Sequence, residues 1–111
     1  MEQPPQSRHV PKAWCVYILS NNAHTLYVGS TDDIFRRMRE HRERAHPEAF
    51  TARYTFDRVV YLELAADEVA ARRREKEIKG WTRAKKVALI QSSNPNWIDV
   101  MPRVLELLCL K

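Results

Sequence analysis

Cysteine and glycine are scarce, two of each in 111 residues. Cys15 and Cys109 stand far apart, and neither belongs to a CxxC or Cys/His cluster, which argues against a structural zinc site. A disulfide between them would need an oxidising compartment, of which the chain gives no sign. Both read as reduced thiols, with Cys15 in the core. Two glycines leave no phosphate-binding glycine loop, and neither GxSxG nor HExxH occurs. His41 and His46 are five apart, the wrong spacing for two ligands on one helical face. No apolar run approaches the roughly 18 residues that span a bilayer. The N-terminus has no apolar signal core. The expectation is therefore a cytoplasmic chain without membrane contact.

What is there fits one soluble α+β domain. The chain is 44% hydrophobic and 30% charged, with a modest core expected for its length. Nineteen Lys and Arg against fourteen Asp and Glu give a net charge of +5, a tilt towards a polyanionic partner. Residues 1–12, with Pro4, Pro5 and Pro11, read as a flexible arm. Trp14 to Ser20 is rich in β-branched and aromatic residues and predicts a buried strand. A turn at 21–24 leads to a second short strand, Leu26 to Val28, ended by Gly29, so that the pair forms an antiparallel hairpin. Thr31, Asp32 and Asp33 offer an N-cap to a helix with Ile34, Phe35 and Met38 on its apolar side, fading by Ala45. Residues 47–57 read as a loop. Arg58 to Leu64 is a third strand, Asp67 caps a helix to about Gly80, and Arg83 to Gln91 is helical. From Trp97 to Leu110 the apolar residues keep a helical period, with Pro102 either kinking the helix or starting it. The order β-β-α-β-α-α-α predicts a three-stranded antiparallel sheet flanked by helices. Residues 13–100 would form the domain and 101–111 a helical extension.

Four sets of residues can carry chemistry. Strand alternation puts Trp14, Val16 and Ile18 on one face and Cys15, Tyr17 and Leu19 on the other. Tyr27 and Gly29 share a side of their strand. Strand tyrosines are commonly core aromatics, and position alone does not make Tyr17 or Tyr27 catalytic. On the first helix, at about 100° per residue, Arg37 lies about 60° and His41 about 20° from Ile34, whereas Arg36 lies about 160° away. Arg37 and His41 thus flank the apolar stripe, and Arg36 and Arg39 point to water. A cation beside a buried face needs an acidic partner or an anionic ligand. Residues 71–86 hold eight basic and two acidic side chains, an excess that i,i+4 pairing cannot neutralise and a phosphate backbone can. Arg72, Arg73, Lys76, Lys79, Arg83, Lys85 and Lys86, with Arg36, are the candidate backbone-binding cations. The carboxylates there, Glu75 and Glu77, lie about 60° and 100° from Ile78, and periodicity does not choose between them.

The ordered set Val16-Tyr17-Ile18-Leu19, Tyr27-Val28-Gly29-Ser30-Thr31, Asp33-Ile34 with Arg36-Arg37 and Glu40-His41, then Arg74-Glu75-Lys76, Ile78-Lys79, Trp81, Arg83-Ala84-Lys85-Lys86 and Asn94-Pro95-Asn96-Trp97 resembles a GIY-YIG nuclease domain. The likeness covers about residues 13–100 and is strongest to small stand-alone bacterial members related to the N-terminal nuclease domain of the excision-repair endonuclease UvrC. One departure is Cys15 in place of the first motif's glycine. The resemblance implies metal-dependent hydrolysis of DNA phosphodiesters with one Mg²⁺ or Mn²⁺. Position by position it implies that Tyr17 and Tyr27 are the motif tyrosines, Arg37 the helix arginine and His41 its neighbour. It also implies that Glu75 is the metal ligand, deciding between Glu75 and Glu77. Arg37 would then donate to a non-bridging phosphoryl oxygen. Tyr17 would take the proton of the attacking water and Tyr27 would position it. An ordinary phenol is protonated at neutral pH, and ionising it there costs roughly 4 kcal/mol, so activity should rise with pH.

The substrate expected is single-stranded, branched or damaged DNA, with RNA also open, in repair or processing. A non-catalytic nucleic-acid-binding module of the same fold is the alternative. A protein partner or dimer contact through Leu105, Leu107 and Leu108 is a third reading, against the plainer one that this stripe covers the domain's own core.

Overall fold

The computed structural model describes residues 12–43 and 56–109, and the side chains of residues 42, 43 and 107–109 are not part of that description. All but the last residue of the expected arm over 1–12, the end of the first helix near Ala45, most of the 47–57 loop and the side chains of Leu107, Leu108 and Cys109 lie outside the described residues.

The strands are β1 (Cys15–Ser20), β2 (Leu26–Thr31) and β3 (Arg58–Leu64). They form one antiparallel sheet in the order β2-β1-β3, with β1 in the middle. All six residues of β1 are buried, as the apolar run WCVYILS requires. The helices are α1 (Ile34–Glu43), α2 (Glu68–Lys79), α3 (Arg83–Ser93) and α4 (Met101–Cys109). Alternation along β1 divides the core into two layers. Cys15, Tyr17 and Leu19 pack with Ile34 and Met38 of α1, Val59 and Val104 of α4. Val16 and Ile18 pack on the opposite face with Val28, Val60, Ala71 and Ile78 of α2 and Ile90 of α3. The sheet is thus covered by helices on both faces, α1 and α4 on one, α2 and α3 on the other.

Local chemistry fixes the element ends. Asp33 accepts the Arg36 N–H at 3.1 Å and Asp67 the Ala70 N–H at 2.8 Å, each closing the first turn of its helix. Thr82 does the same for Lys85 at 3.2 Å. Asn21 holds the hairpin turn by accepting from both Ala23 and Thr25 N–H at 3.0 Å.

Three boundaries differ from expectation. Strand β2 does not end at Gly29 but runs through it to Thr31, because Gly29 is extended and stands opposite Tyr17 in the ladder. Helix α3 continues past Gln91 to Ser93. The C-terminal helix starts at Met101, which settles the two readings of Pro102 as a start and not a kink: Pro102 lies in the first turn, where no intrahelical N–H is missed, and the periodic stretch from Trp97 stays outside the helix. Trp97 is left-handed, with φ 56°, and stacks on the equally left-handed His24 at 4.6 Å between ring centroids. The apolar spacing at 97 and 98 thus marks a loop folded onto the hairpin turn.

Asn94 holds that loop in place. It is buried, donates to the carbonyls of Val60 (3.0 Å) and Ile98 (2.8 Å), and accepts from the Ile98 N–H at 3.1 Å. Asp99 accepts the N–H groups of Val59 and Met101 at 3.1 and 3.2 Å, joining β3 to the start of α4.

Candidate active site

The site gathers around β2 because β2 is an edge strand. Alternation sends Tyr27, Gly29 and Thr31 towards α1 and Ser30 towards α2, and at a free edge both sets border the same space. That space is an open cleft of about 420 Å³, lined by Trp14, Tyr27, Gly29, Ser30, Thr31, Asp32, Arg36, Arg37, Glu68, Arg72 and Glu75.

The two motif tyrosines differ sharply. Tyr17, on the central strand, is fully buried, and Tyr27, on the edge strand, is 38% exposed and lines the cleft. Their rings stack at 6.4 Å. The Tyr17 hydroxyl accepts a 3.0 Å hydrogen bond from Arg37 Nη1 and lies against the backbone of Gly29. Burial pushes the Tyr17 phenol up to about 12, although the facing Arg37 guanidinium pulls the other way. Ionising it at pH 7 would cost about 7 kcal/mol, well beyond the roughly 4 kcal/mol of an ordinary phenol. The geometry therefore favours Tyr27 over Tyr17 for contact with a water, the reverse of the sequence-based preference. His41 meets the Tyr27 ring edge-on at 5.3 Å, and Phe56 packs against Tyr27 at 5.6 Å.

Glu75 and Glu77 part company on α2. The Glu75 side chain, 18% exposed, faces the β2 edge, where its Oε1 accepts from Ser30 Oγ and its Oε2 pairs with Lys79 Nζ at 2.6 Å. Burial raises the carboxyl's pKa, but the hydrogen bonds from Lys79 and Ser30 outweigh it and hold Glu75 below the usual range, ionised at neutral pH. Glu77 is on the opposite flank and accepts from Arg74 Nη1 at 3.0 Å. Arg74 also donates to Glu63 at 2.8 Å and lies over Trp81 at 5.2 Å, which binds α2 to β3.

The basic residues of 71–86 consequently do not act as one surface. Arg72 lines the cleft, pairs with Glu68 at 2.7 Å and lies over Trp14 at 5.6 Å. Lys79 reaches the cleft through Glu75. Arg73 and Lys76 point outward from α2, and Arg83, Lys85 and Lys86 belong to α3, with Lys85 over Trp81 at 4.7 Å. Arg36, expected to point to water, lines the cleft as well, with loose 3.7 Å pairs to Asp32 and Glu40. Exposed pairs of this kind contribute about 0–1 kcal/mol, so they hold neither Arg36 nor Arg72 tightly.

Sequence reasoning gave no role to Ser30, Trp14 or Glu68. Ser30 stands in the quoted motif, and its outward alternation from Gly29 was the available signal. Among the described residues no three His, Cys, Asp or Glu side chains come together as a ligand cluster. Mg²⁺ keeps most of its waters and needs only one or two carboxylates. One ionised carboxylate on a polar, open cleft fits such an ion, and Glu75 is the residue that would hold it. Cys15, at the motif position expected to hold glycine, is buried and packs in the core.

Two buried proton donors, Cys15 and Tyr17, and the partly buried Tyr61 share a direction of shift. Burial pushes Cys15, Tyr17 and Tyr61 each up to about 12, with a hydrogen bond to Glu63 adding to burial at Tyr61. A group whose pKa is raised by folding contributes stability that is complete below its unfolded value and lost as pH climbs towards the folded one. Thermal unfolding should therefore be steady up to about pH 8 and fall steeply between about pH 9 and 12. Tyr17→Phe should flatten part of that fall, and a melting temperature unchanged at pH 11 would contradict the assignment.

The fold and the edge-strand cleft define a GIY-YIG domain, and the model of the GIY-YIG catalytic domain matches residues 13–88. The chain belongs to the GIY-YIG family. Its relatives include a UPF0213 protein of Desulfotalea psychrophila, 39% identical over 85 residues that cover 73% of this chain and 74% of that one. Another, from Haloquadratum walsbyi, is 38% identical over 76 residues, covering 68% and 84%. The solution NMR structure of a UPF0213 protein from Bacillus halodurans is 28% identical, covers 76% of this chain and 88% of that one, and has a TM-score of 0.49. No helix among the described residues is long and apolar enough to cross a membrane.

Proposed function

We propose that the protein is a metal-dependent endonuclease that hydrolyses DNA phosphodiesters, selecting DNA structure rather than sequence, in repair or processing within the cytoplasm. The observation that supports this most is the convergence of Tyr27, Arg37 and the Ser30-bound Glu75 on one polar cleft at the β2 edge. Glu75 would hold the Mg²⁺ or Mn²⁺ ion. When bound, the ion supplies charge neutralisation at the phosphoryl group and at the leaving oxygen.

The chain's own side chains account for the remaining tasks. Arg37, its Nη1 anchored on Tyr17, donates to a non-bridging oxygen of the scissile phosphate. Tyr27 takes the proton of the attacking water, and His41, against its ring edge, relieves the phenol of its own proton. Tyr17 acts by positioning Arg37. Arg36 and Arg72 hold neighbouring phosphates along the cleft, and Arg73, Lys76, Arg83, Lys85 and Lys86 add long-range attraction. Base readout is not expected from so few side chains, which leaves substrate shape as the selected property.

The test is cleavage of labelled single-stranded, duplex, flap and branched DNA, and a matching RNA, with Mg²⁺, with Mn²⁺ and with EDTA. Cutting that requires the metal, prefers one DNA structure and rises with pH is the expected result. Binding without cutting under every condition would replace this reading with a non-catalytic module.

A further inference from the structure

We propose that Lys79 competes with the divalent cation for Glu75, its ammonium holding the carboxylate when no ion is bound and swinging to solvent when one is. The inference rests on the reading of Glu75 as the metal ligand. Three observations carry it. Lys79 Nζ approaches Oε2 to 2.6 Å, so one of the two carboxylate oxygens is already engaged by a cation. The Lys79 side chain is 54% exposed on a flexible stem, so its head can retreat without unpacking α2. Ser30 holds the other oxygen, so the carboxylate keeps its orientation after Lys79 leaves.

A divalent ion held by Glu75 would stand close to an ammonium left in place at Oε2, and the two would repel. Glu68 offers Lys79 no alternative seat, because the two stand at opposite ends of α2, roughly 16 Å apart along the helix axis. Lys79 therefore sets the concentration of divalent ion needed to occupy Glu75, separately from whatever the DNA contributes.

The experiment is a Mn²⁺ titration of the full chain without DNA, followed by paramagnetic broadening of the Ser30 and Glu75 amide signals. Wild type is compared with Lys79→Met, Lys79→Gln, Lys79→Arg and Glu75→Gln. An i,i+4 pair with an exposed ammonium is weak, so releasing Glu75 from it should tighten Mn²⁺ binding by about twofold to fivefold in Lys79→Met and Lys79→Gln. Lys79→Arg, which keeps the cation, should stay near wild type. Equal or weaker Mn²⁺ binding in both neutral variants, with broadening lost in Glu75→Gln, overturns the role of Lys79 and leaves Glu75 as the ligand. Broadening that survives Glu75→Gln, or none in wild type, overturns the metal-ligand reading and this proposal with it.

Discussion

Glu75→Ala should abolish DNA cleavage, by a factor of a thousand or more, equivalent to about 4 kcal/mol of transition-state stabilisation. Binding of the same DNA should persist or strengthen slightly. The cations that line the cleft, Arg36, Arg37 and Arg72, are untouched, and the substitution removes a negative charge that also occupies Lys79. The control is Glu77→Ala. Glu77 is two residues away on the same helix but turned to Arg74, and its loss should cost no more than an exposed ion pair while leaving cleavage intact. Parallel cleavage and binding titrations of the two variants check the pair of outcomes together. A fully active Glu75→Ala protein would remove the proposed metal ligand, and equal loss in both variants would indicate a general effect on α2.

The second large effect is expected at Gly29. Its φ is not positive, so the residue is glycine for space rather than for backbone conformation. A Cβ there would come within 2.5 Å of Tyr17 Cζ and closer still to the hydroxyl. Tyr17 is fully buried on the central strand and has nowhere to retreat. Gly29→Ala should therefore destabilise the protein by about 2–3 kcal/mol, the upper range for overpacking, and lower the melting temperature by about 10 °C or more. Cleavage should fall with it, because the displaced hydroxyl is the anchor of Arg37. Tyr17→Leu, which withdraws the ring, should recover part of the stability in the double variant but none of the activity. Strict additivity of the two stability losses would show that the clash is relieved in some other way.

The residues that were legible in the sequence are those whose role is set by near neighbours. Asp33 and Asp67 cap their helices as their spacing requires. Alternation along 14–19 divides the two core layers correctly, and Arg58–Leu64 is a strand over its full predicted span. The misread positions depend on distant chain. Gly29 looks like a strand breaker until the ring opposite it is known. Trp97 keeps a helical spacing with 101 and 104 but is held in a left-handed loop by His24 and by the Asn94 network. Which tyrosine meets solvent follows from β1 being central and β2 an edge, a property of strand order that no local pattern encodes. The choice between Glu75 and Glu77 is of the same kind. It depends on which flank of α2 faces the β2 edge, and the family resemblance supplied what periodicity left open. Arg74 shows the converse. By composition it belongs with the basic run, yet two carboxylates and the Trp81 ring already engage it.

The Arg37–Tyr17 contact also bears on entropy. An arginine free in solvent carries about 2 kcal/mol of rotamer freedom, which it must surrender to clamp an anion. Here one end of the guanidinium is tied to a hydroxyl on the most deeply buried strand, and Nε lies 3.5 Å from Glu40 of its own helix. Most of that freedom is lost as the chain folds, before any phosphate arrives. An anion entering the cleft meets a donor already halted in position, and the ordering it would otherwise have to impose has been supplied by the sheet.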